Sequence, residues 1–320
     1  MGHTRPVARE SDRDGDTTCP GVSVVIPTHN RPVLMKRAAD SVLAQDYGGP
    51  IEVVVVFDAA EPFDLPDPQR PGRSVRSIVN TRTRGLAGAR NSGIVAASHG
   101  LVGFLDDDDE WLPEKLAEQV PVLLGSPDAP LAGAGMQVIT TDDVVERPIP
   151  MDPVTLSDLL RDRITQLNAC GILARREALL GQLGLVDEQI PGSYGEDYDL
   201  LLRAARIAPI PVVVRPVVKV HWHGGSYFNT RWQMIIDALE YLLAKHPDFR
   251  SEPVGYARMA GQIAFAYASL GESGRARHWA WQAMRSDPRQ PRTVLALAVA
   301  AHLVRPERVL AALNKRGRGI

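Results

Sequence analysis

Asp106, Asp107, Asp108 and Asp109 stand in a row, with Glu110 directly behind them. Carboxylates this crowded repel one another: at roughly 5 Å and an effective dielectric of about 20, each close pair costs on the order of 3 kcal/mol. A hard divalent cation relieves that cost through oxygen ligands, and Mg²⁺ or Mn²⁺ suits such a set. Three further groups could do chemistry. Asp58 closes an apolar run, Glu196 and Asp197 open a helical stretch, and His221 and His223 flank Trp222. Each group also has a plainer reading. An acidic run can end as a solvated turn, acids in a first helical turn complement the dipole by about 0.3–1 kcal/mol, and paired histidines pack as structural side chains.

The elements that carry these residues weigh on the choice. Residues 101–105 are apolar or small and read as a strand buried on both faces. Pro113 then opens a helix at its first position, where a missing N–H costs nothing. Residues 22–26 form another buried strand, stopped by Pro27. The turn Thr28-His29-Asn30 follows, with Thr28 or Asn30 available to cap a helix that carries Pro32, Leu34, Ala38 and Val42 at helical spacing. Residues 51–57 are almost wholly β-branched and end in Asp58, a proline-rich loop fills 59–72, and 75–79 is a third strand. The glycine-bearing segment 85–93 leads into a helix that stops near Gly100. It is no dinucleotide fingerprint, because no G-x-G-x-x-G follows the first strand. Two readings stay open: close helix–sheet packing, or a helix that points Arg90 and Asn91 at an anionic ligand.

This alternation predicts a parallel, doubly wound α/β sheet over roughly the first 125 residues. Asp58 and Asp106–Asp109 both fall at carboxyl ends of strands, along the edge where open α/β sheets place their ligands. A metal-nucleotide site in that crevice is the reading that joins them.

After a proline-rich break at 126–130, strands are expected near 136–140 and 170–175, and helices over 157–163 and 176–183. A Pro/Gly/Ser loop delivers Glu196 and Asp197 to the start of a helix whose apolar face holds Leu200, Leu201 and Ala204. Residues 212–220 form a further strand; if it continued, His221 and His223 would share one face. From Trp232 the composition turns helical. Tyr267, Gly271, Ala276, Ala283 and Pro288 fall at tetratricopeptide offsets, and a single such repeat must pack against something else to bury its face. Residues 294–313, with Arg305, Arg308 and the adjoining Lys315, could instead form an amphipathic contact with a partner or membrane surface.

Composition sets outer limits. The 320 residues are 44% hydrophobic and 23% charged, with a net charge of −2, ordinary for a globular protein and without a general pull toward nucleic acid. Cys19 and Cys170 make no disulfide framework. No apolar run is long enough to span a bilayer and residues 1–20 lack a signal-peptide core, so a cytoplasmic protein is expected, with contact at the inner membrane surface left open.

The segments V-V-I-P-T-H-N-R, V-V-V-V-F-D, G-L-A-G-A-R-N-S-G, F-L-D-D-D-D-E-W-L-P and G-E-D-Y-D-L-L-L-R together resemble family 2 glycosyltransferases, inverting enzymes of the GT-A fold. The resemblance covers residues 21–227. It implies a nucleotide-sugar-binding half (21–125) and an acceptor-binding half (126–230); outside it, composition gives a disordered leader (1–20) and a helical C-terminal region (231–320) that could mediate protein contacts or oligomerisation. It implies that Pro27, Thr28, Asn30 and Arg31 border the nucleotide and that Asp58 faces a pyrimidine base, though Phe57, Ala59 and Ala60 depart from the family's D-D-G-S turn. Asp106 and Asp108 match the D-x-D pair, with Asp108 on the metal and Asp106 or Asp107 facing ribose or donor sugar. Asp197 matches the general base, and His223 a residue that closes the metal or diphosphate site. The expected partners are a nucleoside-diphosphate sugar, UDP foremost, and a hydroxyl acceptor, with Mg²⁺ or Mn²⁺ as cofactor. Two other functions compete: a sugar-phosphate nucleotidyltransferase, which would carry a basic glycine-rich loop after the first strand, and a non-catalytic sugar-nucleotide-binding scaffold acting through its helical tail.

Overall fold

The computed structural model describes residues 19–63, 65–141, 143–222 and 231–309. His223, expected at the metal site, and Tyr227 lie outside the described residues, as do residues 1–18 of the leader.

Strands β1 (Val22–Thr28), β2 (Ile51–Phe57) and β3 (Arg73–Val79) alternate with helices α1 (Pro32–Leu43) and α2 (Leu86–Ala96) before β4 (Leu101–Phe104). They pair in parallel in the order β3-β2-β1-β4. β1, β2 and β4 are buried along their whole length, as unbroken apolar strands covered on both faces must be. The glycine cluster serves packing: a Cβ on Gly93 would stand 2.3 Å from a Val25 methyl, and one on Gly88 would stand 1.8 Å from the Thr83 carbonyl.

Three local expectations are corrected here. Pro27 does not stop β1, which runs to Thr28. Its missing N–H lies on the side of β4, and that strand's pairing has already ended with Leu105 donating to Val25 O. Neither Thr28 nor Asn30 caps α1; its N-cap is Arg31, without a side-chain cap bond. Pro113 precedes its helix rather than opening it, since α3 begins two residues later (β5, Glu110–Trp111; α3, Lys115–Leu124).

The second half is mixed, with antiparallel pairings and one parallel pair between its two longest strands. It contains β6 (Leu131–Ile139), β7 (Val144–Arg147), α4 (Leu156–Arg161), β8 (Leu173–Arg175), α5 (Arg176–Leu180), α6 (Glu196–Ile207) and β9 (Val212–His221). The sheet continues β4-β8-β6-β9-β5, with β7 on β6. The strand expected from Cys170 is shorter, because Ala169–Gly171 form a 3₁₀ turn capped by Asn168. The two-residue β5 and the exposed β7 give no periodic signal long enough to read.

Helices α7 (Trp232–Lys245), α8 (Pro253–Ser269), α9 (Ser273–Ser286) and α10 (Pro291–Ala300) form a C-terminal layer. It shares one apolar core with the α/β part: Leu159, Tyr198 and Leu201 belong to the same cluster as Ile236, Phe249 and Phe265. Contact is closest at Gly255, where a Cβ would meet the Leu160 carbonyl oxygen at 1.8 Å. Backbone cannot rotate away, so Gly255→Ala should destabilise the chain by about 1–3 kcal/mol, although alanine is the better helix former. Thermal melting checks this; an unchanged or raised midpoint would show that the layer docks more loosely.

Candidate active site

The acidic run leaves β4 at its carboxyl end and divides in two. Asp107 and Asp109 are buried, while Asp106 and Asp108 are partly open. The β1–α1 loop reaches over them. Thr28 Oγ1 donates to Asp107 at 2.8 Å, and Arg31 Nη1 reaches Asp107 at 3.1 Å and Asp108 at 2.9 Å. Burial and the neighbouring Asp108 and Asp106 push the Asp107 carboxyl up, against Thr28 and Arg31.

Asp109 is fully committed to the protein. It accepts from the backbone N–H of His221 at 2.9 Å and from the Cys170 thiol at 3.2 Å. Burial, reinforced by Asp106, pushes it up to about 8, so it holds its proton at neutral pH. Asp106, Asp109 and Cys170 lie within 4.8 Å of one another, but a protonated acid and a thiol also pushed up by burial make a hydrogen-bonded wedge under the run. The groups that fit a hard cation are the oxygens of Asp106 and Asp108. Each accepts through one side-chain oxygen only, from Arg90 and Arg31 respectively, which leaves its second oxygen without a partner among the described residues.

Arg90 joins this run to the helix expected to carry the base. It is 2% exposed, and its guanidinium bonds Asp106 Oδ1 at 2.5 Å and Glu196 Oε1. Burial would lower its pKa, yet Asp106 and Glu196 hold it above its ordinary value. Burial likewise pushes Glu196 up, to about 7, against the pull of Arg90. Because arginine keeps its proton and touches the carboxylate directly, the pair is ionised at neutral pH. Asp197 follows in the first turn of α6, after Gly195 in the left-handed region at φ 86°. Its Oδ1 accepts from the Tyr198 N–H at 2.7 Å and from Arg163 Nη2 at 3.2 Å.

Other expected residues are placed differently. Arg90 meets carboxylates of the protein rather than an open pocket. Asn91 is 1% exposed and exchanges hydrogen bonds with Val186 and Glu188, so it fastens the 186–188 loop and does not face the crevice. Asp58 accepts from Asn80 at 2.8 Å and from the Gly85 N–H at 3.0 Å, while its own carbonyl oxygen lies 2.6 Å from His29 Nδ1. Asn30 is exposed at φ 56°, and Pro27 lies within β1. His221 bonds Glu110 at 2.8 Å, the structural reading of that histidine. Arg163 was not anticipated; no pattern around it in the sequence distinguishes it from Arg161.

Comparisons with known proteins agree with this geometry. Residues 23–181 match the model of glycosyl transferase family 2. A UDP-Glc:α-D-GlcNAc-diphosphoundecaprenol β-1,3-glucosyltransferase of Escherichia coli is 26% identical over 181 residues, 57% of this chain and 68% of that protein. The chain spans 36% and 34% of the length of the first two curated relatives it matches. S. aureus TarS 1-349, solved with UDP-GlcNAc, superposes with a TM-score of 0.60 at 16% identity, over 93% of this chain and 92% of that one. A Pyrobaculum calidifontis mannosyltransferase, solved with GDP-Man and Mn²⁺, gives 0.54 at 21% identity, over 92% and 83%. The architecture is the GT-A fold followed by a helical extension. Residues 23–181 belong to glycosyl transferase family 2.

Asp109 makes stability depend on pH. Its folded pKa is raised, so between about pH 4 and pH 8 the folded chain keeps a proton that the unfolded chain has released, and stability falls as pH rises. Asp109→Asn keeps an acceptor for His221 and has no proton to lose. Its melting temperature relative to the parent should rise steadily from pH 5 to pH 8 in metal-free buffer; a constant difference would mean that Asp109 ionises normally.

Proposed function

We propose that the chain transfers a sugar from a UDP-sugar to an acceptor hydroxyl with inversion, in one displacement, with Asp197 as general base. The observation that carries this reading is the Arg90 bridge: one buried guanidinium holds Asp106, of the acidic run, and Glu196, next to Asp197, at a common crevice.

Thr28 and Arg31 fix the acidic run, and Arg31 adds a positive charge beside the donor diphosphate. Asp106 and Asp108 would hold a divalent cation, which supplies Lewis-acid neutralisation of the leaving diphosphate. Mn²⁺ in the mannosyltransferase structure supports such a cation, and UDP donors in the TarS crystal and in the E. coli relative's name support the base. Asp58, which orients Asn80 and the Gly85 N–H, borders the uracil. Asp197 takes the acceptor proton as the hydroxyl attacks the anomeric carbon from the face opposite the departing diphosphate, which inverts that centre. Its Oδ2 has no hydrogen-bond partner among the described residues and is the oxygen that receives the proton.

Melting with UDP, dTDP, GDP and CDP, each with Mn²⁺ or with EDTA, tests the donor site. A nucleotide at about 100 times its dissociation constant adds roughly 2.7 kcal/mol. UDP with Mn²⁺ should give the largest shift, and Asp108→Ala should abolish it; no shift with any nucleotide would sink the proposal. Asp197→Asn should remove transfer while leaving the UDP shift nearly intact. Loss of both together would place Asp197 in donor binding instead.

A further inference from the structure

We propose that a second anion site, built by Arg163 and Arg292 near Tyr194, binds a phosphate group of the acceptor next to Asp197. This rests on the assignment of Asp197 as base and names the class of acceptor that the base would serve.

The site lies where the α/β part meets the C-terminal layer. Arg163 Nη2 touches Asp197, and its guanidinium stands 5.7 Å from the ring centres of both Tyr194 and Tyr198. Arg258, from α8, lies 5.6 Å from the Tyr198 ring and donates to the Tyr198 hydroxyl at 2.9 Å. One turn further along α8, Gly261 makes room for Arg292, whose Cβ would be 3.1 Å from a Cβ at that position. Arg292 is in turn within electrostatic reach of Arg258, Asp162 and Tyr194.

Asp197 pairs with Arg163, but Arg258 and Arg292 are poorly matched by acids. Arg292 has no ion-pair partner among the described residues, and its one side-chain contact is a 3.4 Å bond to Gln290. Arg258 Nε is 4.0 Å from its nearest carboxylate, Asp162, which is itself 75% exposed. The Nε atoms of Arg258 and Arg292 are both buried without a hydrogen-bond partner. Burial and the nearby Arg258 lower the Arg292 pKa, as an unpaired positive charge beside another requires. Buried guanidiniums are expensive unless an anion pairs with them, and planar guanidiniums match phosphate oxygens two at a time. Arg163 and Asp162 keep the place open to solvent. A phosphate held there sets a neighbouring hydroxyl of the same molecule within reach of Asp197.

The test titrates inorganic phosphate into the full chain with UDP and Mg²⁺ already saturating, so that the donor site is closed to it. Phosphate should raise the melting temperature, and Arg292→Glu or Arg163→Gln should weaken its apparent affinity about tenfold or more. No phosphate shift in the parent, or a shift that both variants retain, would overturn the proposal. A missing UDP shift in the same experiment would instead count against the donor assignment, so the two failures are separable. Glucose 1-phosphate and a polyprenyl diphosphate in detergent then distinguish a soluble from a lipid-borne phosphate: the true source should out-compete inorganic phosphate, with the advantage lost in Arg292→Glu.

Discussion

Arg90 is the interaction on which the rest of this site depends. A guanidinium with 2% exposure sits between Asp106 and Glu196, and these belong to different halves of the chain. A buried ion pair adds little net stability over an apolar substitute, but breaking one by removing a partner costs about 3–5 kcal/mol. Its value is therefore geometric. Given Arg90, the end of β4 and the start of α6 have one relative position in which every buried charge is paired. The glycines of α2 serve the same end, because Gly93 lets the helix lie close enough on β1 for Arg90 to reach across.

The C-terminal helices complete what Arg90 begins. α6 is gripped on its other side by α7 and the residues after it: Asp199 is fully buried, bonds His246 at 2.8 Å and pairs with Lys245 at 2.7 Å, while Arg203 within α6 bonds it at 2.8 Å. Lys245 also pairs with Asp187 at 2.5 Å, tying in the loop that Asn91 fastens through Glu188. Tyr198, between Asp197 and Asp199, donates to the Leu159 carbonyl and accepts from Arg258. Every residue that flanks Asp197 is thus held from a different element. The tail is part of the wall behind α6, which is why its cluster of apolar side chains merges with that of the α/β part.

What could be read from sequence follows from how local the determinants are. β1, β2 and β4 were plain because strands buried on both faces are continuous apolar runs, and the acidic run marks its own place at a strand end. β5 and β7 were not, since two residues or an exposed edge give no pattern. The motif residues stand out in the sequence, but their partners do not: nothing near Asn91 says that it will spend its amide on Val186 and Glu188, 95 and 97 positions away. Arg163 and Arg258 are invisible for the same reason. Their significance comes from Tyr198, to which one is 35 residues distant and the other 60, and only the packing of α8 on α4 and α6 brings them there.

The four aspartates show how a motif can be legible while the roles within it are not. As a row they invite a reading in which each binds the same ion. In the fold, Asp107 is taken by Thr28 and Arg31, and Asp109 by Cys170 and the His221 amide, so that among the described residues only Asp106 and Asp108 retain an oxygen without a partner. Asp109 also holds a proton at neutral pH, which removes one charge from the cluster where the dielectric is lowest. Asp106, Asp107, Asp108 and Glu196 then face Arg31 and Arg90, an excess of two negative charges at the crevice mouth. In the proposed reaction that excess is what one divalent cation would neutralise. A fifth ionised carboxylate would overcharge the site, and burying Asp109 against a thiol prevents it.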